Sequence, residues 1–335
     1  MGRRIAVVGG GSWGTALAHV LALNGHDVQI LVRNQDTAVE ISQQHTNDRY
    51  LPDTELCPSL KATTAKSEAL KGAEFVLSAC PSHAVRDALT AVAPLRGRPL
   101  IVSASKGIEI GSHLTMSRVI AETLGEETVP RLAVLSGPSF AAELVRELPS
   151  AVVAASTSVE TALEVQKIFQ NRFLRIYTHT DVVGTEIGGA LKNVIALAAG
   201  ISDGLELGSN ARAALVTRGL AEVTRLAVRL GAEEATMAGL AGLGDLVLTC
   251  TGELSRNRTV GVAIGGGGDP HDVLAGMAQV VEGVRTARAA HCLGSSLGVE
   301  MPITQAVYSI LEEGVGPRDA LASLMAREPR PERWG

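Results

Sequence analysis

A glycine-rich turn near the N-terminus constrains the fold of this chain more than any other feature. An apolar run at residues 4–8 leads directly into Gly-Gly-Gly-Ser-Trp-Gly at residues 9–14, and a helical pattern follows. In this G-x-G-x-x-G pattern, Gly9 permits a tight turn, Gly11 lets the backbone approach a pyrophosphate, and Gly14 lets helix and strand pack closely. The helix N-terminus adds free N–H groups and a positive dipole end. The motif predicts a dinucleotide-binding site; the alternative is a glycine-rich turn without a ligand.

Short apolar runs alternate with helical patterns through the first half of the chain. The runs that predict strands lie at residues 4–8, 28–32, 75–79, 100–103, 132–135, 151–155 and 174–177. Most are continuously apolar, as expected for strands buried on both faces of a parallel sheet. The repeated order of strand and helix predicts an α/β fold, Rossmann-like and doubly wound, with a mainly parallel sheet.

The pattern changes after about Thr180, where only helices are predicted. The segments that favour helix lie at residues 182–207, 211–230, 273–291 and 303–312. We therefore expect a dinucleotide-binding domain at residues 1–180 and an all-α C-terminal domain, for substrate and catalysis, at residues 181–335. The apolar segment 186–201 predicts a buried helix with a single internal cation, Lys192. Such a lysine either extends to solvent or is held by a carboxylate in a functional pocket.

Composition excludes several classes of function. The net charge is −5 and the chain has only 2 Trp, 3 Tyr and 4 Phe, so it lacks the basic surface and stacking groups of nucleic-acid binders. No apolar run approaches the roughly 18 residues of a membrane span, and we expect no membrane insertion. The 4 cysteines form no C-x-x-C and the 8 histidines no H-E-x-x-H. We expect no metal site, and reduced thiols in a cytoplasmic protein.

The residue at the end of the second strand bears on the choice of cofactor. An acidic residue about 20 positions after the glycine motif would hold the ribose of NAD, but this chain has Arg33 there. A guanidinium can pair with a 2′-phosphate, so the sequence favours NADP over NAD. The alternative is a solvated arginine at a strand end.

Three polar or glycine-rich segments stand beside apolar runs. Two of them, at residues 103–109 and 136–141, follow predicted strands and include Lys106 and Ser139. The carboxyl edge of an open parallel sheet faces the ligand, so both side chains are candidates for binding an anion or cofactor. The third segment, residues 242–258, holds Asp245 and Arg256. Taken singly, each of these residues could instead cap a helix or lie on the surface.

Seven segments, in this order and spacing, resemble those of the bacterial NAD(P)-dependent glycerol-3-phosphate dehydrogenases. They are Gly9-x-Gly11-x-x-Gly14, Ser105-Lys106-Gly107, Ser136-Gly137-Pro138-Ser139, Ala190-Leu191-Lys192-Asn193, Gly242-Leu243-Gly244-Asp245, Ser255-Arg256-Asn257 and Val281-Glu282-Gly283. The resemblance extends over residues 5–313. It implies a cytoplasmic enzyme that reduces dihydroxyacetone phosphate to sn-glycerol 3-phosphate for phospholipid synthesis.

Carried to matching positions, the resemblance makes Lys192 the catalytic acid/base. It implies that the substrate is bound by Lys106, Gly137, Ser139, Lys192, Asp245, Ser255, Arg256 and Asn257. It implies that NADP or NAD is bound by Gly9, Gly11, Ser12, Trp13, Gly14, Arg33, Lys106, Ala141, Arg256, Val280 and Glu282. Many relatives have a second basic residue after Arg33, whereas this chain has Asn34, which argues against a strict preference for NADP.

The chemistry of ketone reduction agrees with these roles. Reduction puts a hydride on carbon and a proton on the developing alkoxide, and Lys192 can supply the proton and stabilise the charge. Arg256 offers a guanidinium fork for a phosphate. Two alternatives remain open: a dehydrogenase of another small hydroxy acid, and a nucleotide-binding sensor without turnover, which would not need Lys192. The sequence does not determine the oligomeric state, and a homodimer is one of the alternatives.

Overall fold

Among the described residues, eight strands form one sheet, and most of them come from apolar, largely β-branched runs. They are β1 (Arg4–Val8), β2 (Asp27–Leu31), β3 (Lys61–Thr63), β4 (Phe75–Ser78), β5 (Leu100–Ser103), β6 (Leu132–Ser136), β7 (Ser150–Ala155) and β8 (Leu174–His179). The strand order is β3-β2-β1-β4-β5-β6-β7-β8. All neighbours are parallel except β6 and β7, which are antiparallel. The predicted doubly wound, mainly parallel sheet is confirmed.

The computed structural model describes residues 2–277, 279–329 and 331–332. The chain divides into a first unit, Met1–Lys106 with Met116–Val182, and a second unit, Gly107–Thr115 with Val183–Gly335. Residues 107–115 lie within the predicted first domain, 1–180, but Ile108 belongs to the hydrophobic core of the second unit. Each unit has its own core.

Seven helices cover the sheet of the first unit. They are α1 (Ser12–Leu23), α2 (Gln35–Val39), α3 (Lys66–Ala69), α4 (Val85–Thr90), α5 (Met116–Leu124), α6 (Ala141–Leu144) and α7 (Val159–Phe169). The order of strands reverses at β1, since β2 lies on one side of it and β4 on the other. Ligands of open α/β sheets bind at the carboxyl ends of strands beside such a reversal. The turn from β1 into α1 lies at this point.

In the described part of the second unit, eight α-helices make up most of the chain, in agreement with the predicted all-α domain. They are α8 (Val182–Gly204), α9 (Gly208–Arg229), α10 (Asp245–Thr251), α11 (Arg256–Gly265), α12 (Pro270–Ala275), α13 (Glu282–Leu297), α14 (Pro302–Glu312) and α15 (Pro317–Met325). A π-helical turn, Leu240–Gly244, leads into α10. Glycines let α8 and α11 approach closely, because a Cβ on Gly200 would lie 2.1 Å from the carbonyl oxygen of Arg258.

Helix α8 is the buried central helix that the sequence predicts. By length and composition it could cross a membrane, but 89% of its most apolar window is buried inside the protein. Burial on all sides is typical of a core helix in a globular domain. Glu186 and Lys192 interrupt the apolar run, so the sequence of α8 contains no long uninterrupted apolar stretch.

The predicted single helix at residues 273–291 is wrong, because the structure has two helices there. Helix α12 ends at Ala275 with Gly276 behind it, and α13 begins at Glu282. Glycine is a poor helix residue and commonly ends a helix. Ala278 lies outside the described residues.

Candidate functional site

The turn between β1 and α1 has the geometry that its sequence predicts. Gly9 has a φ of 116°, and a Cβ there would lie 2.8 Å from the carbonyl oxygen of Ala79 on the neighbouring β4 exit. A Cβ on Gly14 would lie 2.0 Å from the carbonyl oxygen of Gly9. Both positions therefore need glycine for close backbone packing.

Gly11 differs from the other two glycines, because a Cβ there would meet no atom within 4 Å. Its missing side chain leaves space at the N-terminus of α1, where a pyrophosphate binds in dinucleotide folds. The half-buried Trp13 indole lies in the same turn, and its buried Nε1 has no hydrogen-bond partner among the described residues. Ser12 begins α1 itself. These features fit a bound dinucleotide.

Arg33 is exposed just beyond the end of β2, with no ion-pair partner among the described residues. Burial raises the pKa of the Cys80 thiol, at the exit of β4, to about 11, and the positive charge of Arg33 opposes that rise. The Arg33 guanidinium is therefore close to the carboxyl edge of the central strands. Asn34 begins α2 by accepting a hydrogen bond from the Asp36 N–H at 2.8 Å, so the residue that departs from the family pattern is a helix cap.

Lys106 and Ser139 converge on one backbone carbonyl. The Lys106 Nζ donates to the carbonyl oxygen of Gly137 at 3.0 Å, and the Ser139 Oγ donates to the same oxygen at 2.9 Å. Gly137 follows β6 with a φ of 137°. Both side chains are half-buried, and Ala141 begins α6 immediately after them. The two strand exits thus form one polar cluster at the carboxyl edge of the sheet.

Lys192 does not extend to solvent; it forms a buried ion pair with Asp245. Only 7% of Lys192 is exposed, and Asp245 is fully buried. The Thr249 hydroxyl donates to the backbone carbonyl of Asp245 at 2.6 Å. Helix packing produces this pair: a Cβ on Gly188, one turn before Lys192, would lie 2.5 Å from the carbonyl oxygen of Ala241, four residues before Asp245.

The side chain of Arg256 lies at the first position of α11, beside the start of α13. Its Nη1 donates to the carbonyl oxygen of Val280 at 2.8 Å. Desolvation lowers the pKa of the Arg256 guanidinium, and the negative charge of Glu282 opposes this. The structure thus brings Arg256, Val280 and Glu282 together.

Ser255 and Asn257, on either side of Arg256, have structural hydrogen bonds. The Ser255 Oγ caps α11 by accepting the Arg258 N–H. The Asn257 Nδ2 donates to the Asn193 Oδ1 at 2.9 Å, and its Oδ1 accepts the Gly283 N–H at 2.9 Å. Asn257 therefore ties the residue after Lys192 to the helix that Glu282 begins. Asn193 is not among the predicted site residues. In the sequence, its position next to Lys192 was the one indication of a site role.

Among the described residues, no three His, Cys, Asp or Glu side chains lie close enough to hold a metal ion. All 4 cysteines are free thiols; Cys250 is buried and the others are half-buried. Burial raises the pKa of the Cys250 thiol to about 12.

Comparison with known proteins gives matches along most of the chain. Family models for the N-terminus and the C-terminus of NAD-dependent glycerol-3-phosphate dehydrogenase match residues 4–162 and 181–322. The glycerol-3-phosphate dehydrogenase [NAD(P)+] of Geobacter sulfurreducens is 52% identical over 100% of both chains. That of Myxococcus xanthus is 52% identical over 99% of both. The crystal structure of glycerol-3-phosphate dehydrogenase from Coxiella burnetii is 41% identical, with a TM-score of 0.92 over 97% of this chain and 99% of that one.

Proposed function

The chain belongs to the NAD-dependent glycerol-3-phosphate dehydrogenase family, and on that premise we propose that it reduces dihydroxyacetone phosphate to sn-glycerol 3-phosphate, reversibly, with Lys192 as the acid/base. It is an oxidoreductase that uses NAD or NADP. The observation that carries the assignment of Lys192 is its ion pair with Asp245 inside the second unit. A buried charge pair is costly to keep, so its presence on an apolar helix needs a reason.

Lys192 is suited to hold the proton that the reduced carbonyl oxygen acquires. Its ammonium group can hydrogen-bond to that oxygen, stabilise the negative charge that develops on it, and then release the proton to it. The Asp245 carboxylate fixes the direction of the ammonium group and favours its charged form. In the reverse direction the neutral amine accepts the proton from the alcohol.

Arg256 is suited to recognise the phosphate of the substrate. Its guanidinium is positioned by the Val280 carbonyl and keeps further N–H donors for an anion. Asn257 and Ser255 flank it on the same helix N-terminus, where the dipole favours negative charge. We also propose Lys106 and Ser139, a cation and a hydroxyl of the first unit, as substrate-binding residues. Binding the non-reacting phosphate orients the carbonyl.

The first unit provides the dinucleotide turn, and the cofactor supplies the hydride for the carbonyl carbon when bound. Gly9, Gly11 and Gly14 shape the pyrophosphate turn, and Trp13 offers its indole N–H beside it. Arg33 contacts the 2′-phosphate, so NADP is preferred. We place the reaction in the cytoplasm, where its product supplies phospholipid synthesis.

The experiment that tests this function is a change of Lys192 in a spectrophotometric assay. We expect Lys192→Met to lower kcat with dihydroxyacetone phosphate by about 100-fold or more, because the general acid is lost. NADPH binding, measured by titrating the cofactor fluorescence, should stay near the wild-type value. Lys167→Met, at an exposed lysine on α7, is the control and should leave both quantities unchanged.

A second variant guards against misfolding, since Lys192→Met leaves the Asp245 carboxylate buried without its cation. Lys192→Arg keeps a cation beside Asp245, but a guanidinium does not release its proton at working pH. We expect it to fold and to be as inactive as Lys192→Met. Normal kcat in either variant would show that Lys192 is not the acid. Turnover with a hydroxy acid but not with dihydroxyacetone phosphate would contradict the proposed substrate.

A further inference from the structure

A fully buried asparagine outside every motif described above contacts the glycine turn. The Asn47 side chain is 0% exposed, and its Nδ2 donates to the Gly10 carbonyl oxygen at 3.1 Å and to the Thr15 Oγ1 at 2.8 Å. One acceptor lies within the turn and the other in the first residues of α1. A single amide group therefore connects the two parts that shape a pyrophosphate site.

The hydrogen bond to Gly10 fixes the orientation of one peptide group. In a planar trans peptide, the carbonyl of Gly10 and the N–H of Gly11 point in opposite directions. Because the Gly10 carbonyl faces Asn47, the Gly11 N–H points away from Asn47. That N–H has no acceptor among the described residues, and Gly11 borders the open space noted above. A backbone N–H held in this way is ready to bind an anion.

The segment that carries Asn47 is itself held firmly. The Glu40 carboxylate accepts hydrogen bonds on both sides of Asn47, from the Thr46 Oγ1 and from the Asp48 N–H. The Asn47 carbonyl accepts the N–H of Leu51, whose side chain is buried in the core of the first unit. The amide is thus positioned before any ligand arrives, which lowers the cost of ordering the turn on binding.

From these contacts we infer that Asn47 is a positioning residue that orients the Gly10–Gly11 peptide toward the cofactor pyrophosphate. It acts through the backbone and does not itself touch the cofactor. The inference rests on the proposed function, because it requires a dinucleotide at this turn. It assigns a role to a residue that lies more than thirty positions beyond the glycine motif.

The test measures cofactor affinity in Asn47→Leu, which keeps a similar size but cannot donate hydrogen bonds. Loss of two buried hydrogen bonds should raise the Kd for NADPH, followed by cofactor fluorescence, by about tenfold or more. ADP-ribose, which contains the pyrophosphate, should be weakened to the same extent. Binding of 2′-AMP, which lacks it, should not change. At saturating NADPH, KM for dihydroxyacetone phosphate should stay at the wild-type value.

Asn24→Leu is the matched control, because Asn24 also uses its amide at one end of α1, donating to the Ile168 carbonyl at 2.8 Å. This variant should lose stability without losing affinity for NADPH. If Asn47→Leu does not fold, Asn47→Ala is measured in its place, with the same expectation. An unchanged Kd for NADPH, or an equal loss of 2′-AMP binding, would overturn the inference. A wild-type protein that binds no nicotinamide cofactor would instead overturn the proposed function.

Discussion

At the scale of single residues, Arg33 has a guanidinium group that no described carboxylate neutralises. We expect Arg33→Ala to raise KM for NADPH far more than KM for NADH, because only NADPH has the 2′-phosphate. A charge-assisted hydrogen bond contributes about 1.5 to 3 kcal/mol, which corresponds to roughly 10- to 150-fold. The ratio of the two Michaelis constants is the measurement. Arg98→Ala, at another exposed arginine of the first unit, should not change the ratio. Equal effects on both cofactors would contradict the role of Arg33.

At the scale of elements, the close packing of α8 on the Leu240–Gly244 turn positions the Lys192–Asp245 pair. Gly188→Ala would insert a Cβ 2.5 Å from a backbone oxygen, so the two helical segments must separate. We expect the free energy of unfolding to fall by about 1 to 3 kcal/mol, and kcat to fall because Asp245 shifts relative to Lys192.

Urea unfolding and steady-state kinetics measure these two effects. Gly276→Ala is the control, since the nearest atom to a Cβ there would be the Val273 carbonyl oxygen, at 3.6 Å. It should leave both quantities near the wild-type values. A Gly188→Ala variant with wild-type kcat would show that the packing of α8 does not position the pair.

Glu222 on α9 is a buried carboxyl group that caps the N-terminus of another helix, α14. Its two oxygens accept the N–H groups of Ile303 and Thr304, at 2.9 and 2.8 Å, in the first turn of α14. Burial raises the pKa of Glu222, and these hydrogen bonds oppose the rise without cancelling it. The folded state therefore binds this proton more tightly than the unfolded state.

The direction in which the free energy of unfolding changes with pH follows from the difference in the pKa of Glu222 between the folded and unfolded states. The contribution of Glu222 to the free energy of unfolding should be largest at low pH and fall as the pH rises from about 4 toward its folded-state pKa. Glu222→Gln does not titrate, so the stability of the wild type relative to this variant should decrease from pH 4 to 7. Urea unfolding across this range measures the slope. The opposite slope would mean that the two N–H donors outweigh burial.

At the scale of the whole molecule, the sequence predicts those features that depend on local pattern. The sheet, the central helix α8 and the turn at Gly9 follow from apolar runs and glycine spacing. Strand β3 escapes prediction because Lys-Ala-Thr at an edge shows no apolar run. The antiparallel direction of β7 was not predicted either, because an apolar run does not show whether a strand is parallel or antiparallel to its neighbour. Helix α11 has low predicted helix propensity because of its glycines, and two of them, Gly261 and Gly265, pack closely against the backbone of α8.

In the candidate site, too, local sequence pattern predicts some features, while others depend on long-range contacts. The sequence shows Lys192 as a cation in an apolar helix, but only the fold selects Asp245 as its partner rather than solvent. The departure at Asn34 is visible in the sequence, but only the structure shows that this residue caps a helix. Asn47 had no signal at all, because a hydrogen bond to a backbone carbonyl far along the chain leaves no trace in composition or period. Long-range contacts to the main chain are therefore the part of the site that sequence reasoning misses.

The short segment Gly107–Thr115 has a consequence for biosynthesis. A ribosome makes Ile108 early, yet the other members of its core cluster all come from Val183 or later. When this segment leaves the exit tunnel, none of the other members of that hydrophobic cluster has yet been made. The second unit therefore cannot complete its core in the order of translation; its late helices must recruit residues that were synthesised long before them.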